Sequence, residues 1–336
     1  MRVLLTGGGG FLGSAVALKL LEAGHQPRLL LRRAPRTPLA AGLEEVRGSL
    51  EDFESLVAAV KGCQAVINCA AKSGVWGPLA EYIENNTMGP ARLLEAARRE
   101  KVSYFVHTSS PSVIHSGGNL EGVDESVGYS LDVSQPYAYS KMLAERLILG
   151  ASSGSIKTVA LRPHLIWGAE DPHLLPRLAE KAKKGRLYLF SGGPYRVDAT
   201  YIDNAAEAHL LALEKLSSGV PVSGQAFFIA QDEPMDINDL VNKLLIASRL
   251  NPTNRRISKG FGLALAAIIE KSWRLFGLTS EPPITVFAAK QMSTSHWFNL
   301  NKAKTLLGYR PLISFERGLE ILAAQVAQKG LKSPKY

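Results

Sequence analysis

The 336-residue chain is poor in the residues that cross-link small secreted proteins or bind metal ions. Its two cysteines, Cys63 and Cys69, cannot build a disulfide framework. Cysteine and histidine also do not occur together at the spacing of a metal site, so we expect no bound metal. So few cysteines in a chain of this length favour a reducing compartment.

Long hydrophobic runs are missing as well, and we find no internal repeat and no low-complexity linker. An uncharged apolar run at 260–269 has half of the ~20 residues that a membrane-spanning helix needs. The first apolar segment, 3–5, is preceded by no charged region and no cleavage site, so we expect no signal peptide. These absences predict a cytoplasmic protein.

The net charge of +9 stands out in a composition that is otherwise ordinary, with 46% hydrophobic and 21% charged residues. Lysine and arginine cluster at 98–101 and at 181–186, but no nucleic-acid-binding module accompanies them. We therefore attribute the charge to solvated helix ends and to an anionic cofactor, and we expect no nucleic-acid partner.

Short apolar segments alternate with helical patterns along the first half of the chain. Strands are predicted at 2–5, 28–31, 45–47, 65–69, 104–107 and 158–161, and helices at 12–22, 53–60, 82–100 and 137–149. Strands separated by helices of this length predict an α/β fold with a Rossmann-type, doubly wound parallel sheet. We assign the Rossmann domain to 1–165, with a segment around 198–217 returning to it. A smaller substrate-binding lobe is assigned mainly to 166–336.

The segment LLTGGGGFLG joins the first predicted strand to the first helix. Gly7, Gly10 and Gly13 form a G-x-x-G-x-x-G pattern. One such glycine permits the turn, one lets the backbone approach a pyrophosphate, and one allows close packing of helix on strand. The helix N-terminus adds unpaired N–H groups that bind phosphate. With a strand before it and a helix after it, the pattern predicts a dinucleotide site.

The end of the second strand, RLLLRR, bears on the choice of dinucleotide. An acidic residue there would bind the adenosine ribose of NAD, whereas an arginine would pair with the 2′-phosphate of NADP. Leu31 occupies the position where the acidic residue is expected, and Arg32 and Arg33 follow it. The sequence therefore predicts a preference for NADP(H), with NAD(H) as the alternative.

Tyr137 and Lys141 lie four residues apart in QPYAYSKMLAER, which puts both side chains on one face of a helix. A nearby ammonium favours the phenolate, so the pair is expected to bring the pKa of Tyr137 into a useful range for proton transfer. Tyr139 lies on another face. The preceding strand end, HTSSPSV, supplies the hydroxyls of Ser109 and Ser110, which could hydrogen-bond a substrate carbonyl at the edge of the sheet where ligands bind.

Taken together, these segments resemble an extended short-chain dehydrogenase/reductase. TGGGGFLG, INCAAKSGVWG, HTSSPSV, the Tyr137–Lys141 pair, LRPHLIWG, YIDNAAEAH and KTLLGYRP occur in the order of that family over nearly the whole chain. Within it, the chain resembles the 3β-hydroxysteroid-dehydrogenase-like branch. In AAKSGVWG, LRPHLIWGAEDPHLLPR and STSHWFNLNKAK it is similar to the bacterial 2-alkyl-3-oxoalkanoate reductases of long-chain olefin biosynthesis.

The resemblance implies roles for individual residues. Tyr137 would be the proton donor, and Lys141 would lower its pKa and hold the nicotinamide ribose. Ser110 would be the catalytic serine, with Ser109 as the alternative, and Asn86 would be a structural or proton-relay asparagine. Besides the glycines, the arginine pair, Tyr137 and Lys141, the resemblance places these residues against the cofactor: Phe11, Leu12, Ser49, Leu50, Ala70, Ala71, Lys72, Pro163 and Ile166.

Two positions depart from the family pattern. Ser49, in RGSLED, replaces an aspartate that usually contacts adenine, and Asn68 stands where histidine is frequent. The first departure weakens the predicted adenine contact and leaves the predicted fold unchanged.

The resemblance implies NADPH-dependent reduction of a ketone on a hydrophobic substrate, a 2-alkyl-3-oxoalkanoate in particular. A 3β-hydroxysteroid or 4-carboxysterol dehydrogenase, a nucleotide-sugar epimerase, and a cofactor-binding regulatory subunit without turnover remain alternatives. A homodimer or an assembly with pathway enzymes is the implied oligomeric state.

The stretch KGFGLALAAIIEKSWRLFGL, at 259–278, is apolar and aromatic with cationic residues at intervals. Its pattern fits a helix of the core, a lid over a hydrophobic substrate, or an anchor at a membrane surface with its cations at the headgroups. The sequence leaves these three structures open.

Overall fold

Strands and helices alternate along the chain in this computed structural model, which describes residues 1–33, 40–115 and 117–331. The strands are β1 (Arg2–Thr6), β2 (Gln26–Leu31), β3 (Glu44–Arg47), β4 (Ala65–Asn68), β5 (Tyr104–Thr108), β6 (Leu120–Val123), β7 (Lys157–Pro163), β8 (Ile166–Trp167), β9 (Leu189–Ser191), β10 (Arg196–Val197), β11 (Thr200–Tyr201), β12 (Gln225–Ile229), β13 (Met235–Asp236), β14 (Arg256–Ser258) and β15 (His296–Phe298). The helices are α1 (Phe11–Glu22), α2 (Phe53–Val60), α3 (Leu79–Ile83), α4 (Gly89–Arg99), α5 (Pro136–Gly150), α6 (Leu174–Lys183), α7 (Ile202–Ser217), α8 (Ile237–Ala247), α9 (Lys259–Leu275), α10 (Val286–Gln291) and α11 (Phe315–Lys329).

Seven strands form one parallel sheet in the order β3-β2-β1-β4-β5-β7-β12. The strand order reverses between β1 and β4, so their carboxyl ends leave a crevice of the kind in which doubly wound sheets bind ligands. The Rossmann-type fold is confirmed, and the six predicted strands agree with the structure to within two residues at each end. The sequence analysis did not predict β12.

Helices cover both faces of this sheet, because successive side chains of each strand point to opposite sides. On one face, Val3 and Leu5 of β1 pack with side chains of α1 and α7. On the other face, Leu4 packs with side chains of α2 and α4. Two apolar clusters therefore enclose the sheet and fix the position of its carboxyl edge.

A third apolar cluster lies in the second half of the chain, around Trp167, Leu244 and Phe315. It joins α6, α8 and α11 to short strands, among them β10 and β13. These two strands form a separate four-stranded sheet with β15 and β6, in the order β13-β10-β15-β6. Among the described residues, none of the helices combines the length and the apolar character needed to cross a bilayer.

The helix predicted at 82–100 is interrupted in the structure. Between α3 and α4 lies one turn of π-helix, Glu84–Met88, closed by a hydrogen bond from the Gly89 amide to the Glu84 carbonyl. Pro90, which has no N–H, stands at the start of α4, so the regular ladder cannot continue through this point. The widened turn contains Asn86, and π-turns of this kind are frequent at functional sites.

Candidate active site

The glycine-rich loop between β1 and α1 needs glycine at two positions for different reasons. Gly7 has φ +70°, and a Cβ there would lie 2.8 Å from the Ala70 amide nitrogen, so this residue makes the turn against the end of β4. At Gly13 a Cβ would lie 2.1 Å from the Gly7 carbonyl oxygen. Gly13 therefore allows α1 to pack directly on the loop.

The same loop fits the pyrophosphate of a dinucleotide. Gly10 is the N-cap residue of α1, in an extended conformation, and it is exposed to solvent together with Gly9. Phe11 and Leu12 follow in the first helical turn, whose N–H groups are the free donors of a helix N-terminus. The loop lies where β1 and β4 diverge. Because the exposed glycines have no side chains, none of them fills the space in front of the loop.

Replacing Gly13 with alanine is expected to lower the free energy of unfolding by about 1–3 kcal/mol, because the new methyl group overlaps the Gly7 carbonyl. Binding of the dinucleotide should weaken with it. Gly9→Ala is the matched control, since its Cβ meets only the Leu31 side chain, at 3.4 Å. Thermal unfolding of the two variants measures the difference, and equal stability would contradict the packing role of Gly13.

Four of the predicted cofactor residues follow β2 and β3 at the carboxyl edge. Arg32 and Arg33 come directly after β2, and both are exposed. Ser49 and Leu50 come after β3. The Ser49 hydroxyl accepts a hydrogen bond from the amide two residues later (3.3 Å), so it is part of a local turn, while Leu50 packs against α4. The structure brings the four to the predicted edge, and their contacts with a cofactor remain a prediction.

The segment after β4, with Ala70, Ala71 and Lys72, is held from both sides. The Ala70 amide donates to Thr6 Oγ1 (3.2 Å). The amide and carbonyl of Lys72 both bond the side chain of Asn86, at 2.7 and 3.0 Å. Asn86 is therefore a structural bridge from the π-turn to this segment.

The Tyr137 side chain lies at the start of α5, with its ring edge-on to the buried Tyr82, at 6.5 Å between centroids. The side chain of Ser110, the residue predicted from the strand end, lies close enough to lower the pKa of Tyr137, while the Ser110 hydroxyl accepts hydrogen bonds from the Ser112 amide (3.2 Å) and the Ser112 hydroxyl (2.9 Å). Ser109 is buried instead, its amide bonded to the Leu161 carbonyl (2.6 Å). The structure thus pairs Tyr137 with Ser110 rather than with Ser109.

Lys141 is buried one turn further along α5, and its ammonium donates to the carbonyl oxygen of Thr108. Burial lowers the pKa of Lys141 to about 8, against the charge of Glu145, which raises it. Lys141 is therefore protonated at neutral pH, but its proton is held less firmly than that of an exposed lysine.

The predicted lowering of the Tyr137 pKa differs from what the structure shows. Burial raises the pKa of Tyr137, and the nearby Ser110 side chain lowers it by less. Spacing on a helix places Lys141 on the same face as Tyr137, but the ammonium is directed to the end of β5. The Lys141 ammonium would act on the Tyr137 phenol only through a group that binds between the two side chains.

Pro163 and Ile166 lie at the end of β7 and the start of β8, at the same edge as Ser110. Between them, His164 Nδ1 bonds the carbonyl oxygen of Asp198. Burial lowers the pKa of His164 to about 3, so this histidine is neutral. It holds the turn that positions the two predicted cofactor residues.

Sequence reasoning missed the partner that fixes Thr108. His209 on α7 has Nε2 2.8 Å from Thr108 Oγ1 and Nδ1 2.7 Å from the Ala205 carbonyl oxygen. Burial lowers the pKa of His209 to about 4, so its ring is neutral, and a carbonyl at Nδ1 makes Nε2 the acceptor. Although the segment YIDNAAEAH contains this histidine, its partner is 101 residues away in sequence.

A small cleft opens beside Tyr137. Its walls come from the loop after β4, from the start of α5 and from α10, and they are formed by Val75, Gln135, Pro136, Tyr137, Ala138 and Phe287. Most of these side chains are apolar, so the surface next to Tyr137 is hydrophobic.

Known proteins are similar to this chain over nearly its whole length. Residues 4–257 match the 3-beta hydroxysteroid dehydrogenase/isomerase family. A 2-alkyl-3-oxoalkanoate reductase of Stenotrophomonas maltophilia (strain K279a) is 42% identical over 97% of this chain and 100% of its own length. A 2-alkyl-3-oxoalkanoate reductase of Shewanella oneidensis is 38% identical over 97% of this chain and 86% of its own length.

Among solved structures, UDP-glucuronic acid 4-epimerase from Bacillus cereus, in complex with NAD, has a TM-score of 0.73 at 25% identity and covers 99% of both chains. Its fold is the same, and its bound NAD agrees with a nicotinamide dinucleotide in the crevice described above. The chain therefore belongs to the 3-beta hydroxysteroid dehydrogenase/isomerase family, whose members are NAD(P)-dependent oxidoreductases.

Proposed function

We propose that the protein reduces the ketone of a 2-alkyl-3-oxoalkanoate to the 3-hydroxy acid, with NADPH as the reductant. The observation that supports this best is the closeness of the Ser110 and Tyr137 side chains beside an apolar cleft, at the crevice of a dinucleotide-binding sheet. The two reductases that are 42% and 38% identical to this chain support the substrate class.

The proposed mechanism divides the work between cofactor and protein. When bound, a reduced nicotinamide supplies the hydride. Ser110 and Tyr137 donate hydrogen bonds to the substrate carbonyl oxygen and stabilise the negative charge that develops there. Tyr137 then gives its proton to that oxygen, as a general acid.

Other residues of the chain hold these groups in place. Lys141, protonated below its pKa of about 8, binds the nicotinamide ribose and favours the phenolate that Tyr137 becomes. Pro163 and Ile166 orient the nicotinamide through their backbone. Gly10, Phe11 and the rest of the glycine loop hold the pyrophosphate.

The proposed preference for NADPH rests on Arg32 and Arg33. Replacing both with alanine is expected to raise the Kd of NADPH about 10–100-fold, because hydrogen bonds to charged groups contribute about 1.5–3 kcal/mol. The Kd of NADH should not change. Arg317→Ala, an exposed arginine on α11, is the control. Fluorescence titration measures the Kd of NADPH and of NADH for both variants and the wild type. An equal loss of affinity for both cofactors would contradict a contact with the 2′-phosphate.

Turnover assays test the substrate class. Purified protein is mixed with a 2-alkyl-3-oxo acid or with a 3-oxosteroid, each with NADPH and with NADH, and the loss of reduced-nicotinamide absorbance is followed. We expect turnover of the branched oxo acid with NADPH. Turnover of the steroid alone would assign the protein to steroid chemistry instead.

A further inference from the structure

Helix α9 buries small residues and exposes several large apolar side chains. Its two buried residues, Gly262 and Ala266, are both small. A Cβ at Gly262 would lie 2.4 Å from a ring carbon of Phe190, so the helix lies close against β9 through its smallest residue. A helix of the core would bury its large apolar side chains, whereas α9 half-buries Leu263, Ile269 and Trp273 and exposes the rest.

Most of the large apolar side chains of α9, and Phe276 at its C-cap, point to solvent. Ile268 is 64% exposed, Leu275 79% and Phe276 74%. At 100° per residue, positions 261, 265, 268 and 275 fall on one side of the helix. We call this the outer face of α9, formed by Phe261, Leu265, Ile268, Leu275 and Phe276. Contiguous exposed apolar surface of this kind marks an interaction site.

Positive charge surrounds the outer face. Between residues 255 and 274 the chain has one carboxylate, Glu270, and these cations: Arg255, Arg256, Lys259, Lys271 and Arg274. Glu270 is largely buried and occupied, since it pairs with Arg274 (2.8 Å) and accepts from the Val286 amide (2.8 Å). Arg274 is thus neutralised on the inner side of the helix, and Lys259 lies over the Tyr195 ring, 5.5 Å from its centroid. The positive charge presented to solvent near the apolar side chains comes from the exposed Arg256 and Lys271.

The inner side of α9 is connected to the cleft beside Tyr137. Glu270 holds the first residue of α10, and α10 carries Phe287, which lines the cleft. The guanidinium of Arg274 lies over the Trp76 ring, 5.4 Å from its centroid, next to Val75 of the cleft wall. A ligand on the outer face would thus lie one helix away from the proposed active site.

We propose that the outer face of α9 binds the surface of an anionic lipid bilayer. Its apolar side chains enter the boundary between headgroups and acyl chains, and the surrounding cations contact anionic headgroups. Charge complementarity favours this partner, because an apolar protein surface would bury the cations without a counter-charge. That the bilayer also delivers a hydrophobic substrate to the cleft rests on the proposed function.

Vesicle flotation tests the proposal on the full chain. We expect the protein to float with vesicles of phosphatidylglycerol and phosphatidylcholine, and to float much less with phosphatidylcholine alone or at high salt. Replacing Ile268 and Leu275 together with glutamate should lower partitioning more than about tenfold. The matched control is Ile246→Glu with Leu312→Glu, 59% and 61% exposed elsewhere on the surface, which should float as the wild type does.

Three results would overturn the proposal. The first is failure of the wild type to float with anionic vesicles, and the second is an equal loss of vesicle partitioning in both double variants. The third result is a wild-type dimer that becomes a monomer in the α9 variant, measured by light scattering. The last would make the outer face an interface between two copies. Flotation requires no turnover, so it is independent of the substrate. Equal kcat on a short, water-soluble oxo acid shows that the variants are folded, and absence of turnover in every protein would contradict the proposed function alone.

Discussion

Replacing Tyr137 with phenylalanine is expected to lower kcat for carbonyl reduction by about 10²–10⁴-fold, the usual contribution of a positioned general acid. The ring would stay in its edge-on contact with Tyr82, and only the hydroxyl near Ser110 would be lost. Because the removed atom acts on the developing charge rather than on the cofactor, the Kd of NADPH should change little. Stopped-flow measurement of NADPH consumption separates the reduction step from binding.

Tyr139→Phe is the matched control for this prediction. Tyr139 lies two residues away on the same helix, but it packs partly buried against the main apolar cluster. Loss of its hydroxyl should leave kcat within about twofold, as expected for a residue outside the reacting groups. Full activity in Tyr137→Phe would show that another group donates the proton. If the protein keeps its biological function without the Tyr137 hydroxyl, it is a binding subunit without turnover.

The sheet could be predicted from the sequence because its buried strands are short continuous apolar runs between helical patterns. Segments such as RVLLT and YFVHT belong to central parallel strands, buried on both faces, and only a few residues connect each to its helix. Strand β12, QAFFI, has the same character and was not predicted. It follows the loop after α7, and there a short apolar run alone does not distinguish a strand from a buried helix.

Two features of the helices depended on contacts that a periodic pattern does not contain. The break at 84–88 comes from one missing N–H, at Pro90, within an otherwise regular apolar pattern. The orientation of α9 comes from the close approach of Gly262 to Phe190. Apolar periodicity predicted the helix at 259–278 but not which of its faces would be covered.

The residues of the candidate site were predicted better than their interactions. Spacing brought Tyr137 and Lys141 to one face of α5, and the strand end brought Ser110 to Tyr137. The direction of the Lys141 ammonium could not be predicted, because its partner is a backbone carbonyl 33 residues away on β5. Likewise, no local signal connects His209 to Thr108, since only the fold makes α7 a neighbour of β5.

The buried ion pair between Glu145 and Arg162 connects this site to the stability of the fold. Glu145 lies on α5, four residues after Lys141, and Arg162 lies on β7, next to Pro163. Both side chains are almost fully buried. Arg162 Nε is 3.1 Å from each carboxylate oxygen, and the Tyr129 hydroxyl also donates to Glu145 (2.8 Å). The Glu145 carboxylate lies four residues after Lys141, and its charge raises the pKa of that lysine.

We expect Glu145→Gln to lower the free energy of unfolding by about 3–5 kcal/mol, because it leaves the Arg162 guanidinium buried without a counter-charge. The double variant Glu145→Leu with Arg162→Met should recover most of the loss, since a buried pair can be replaced by apolar side chains of similar size. Glu320→Gln, which breaks an exposed pair with Arg317, is the control and should cost less than about 1 kcal/mol. Urea unfolding measures all three.

The same substitution should change the pH dependence of cofactor binding. The charge of Glu145 raises the pKa of Lys141 against burial, which lowers it to about 8. In the wild type, the Lys141 ammonium is present below that pH and is lost above it, so the affinity of the free enzyme for NADPH should fall as the pH rises through about 8. In Glu145→Gln the pKa of Lys141 falls further, and the loss of affinity should begin at a lower pH. An unchanged pH profile in a folded variant would show that Glu145 stabilises α5 on the sheet without acting on Lys141.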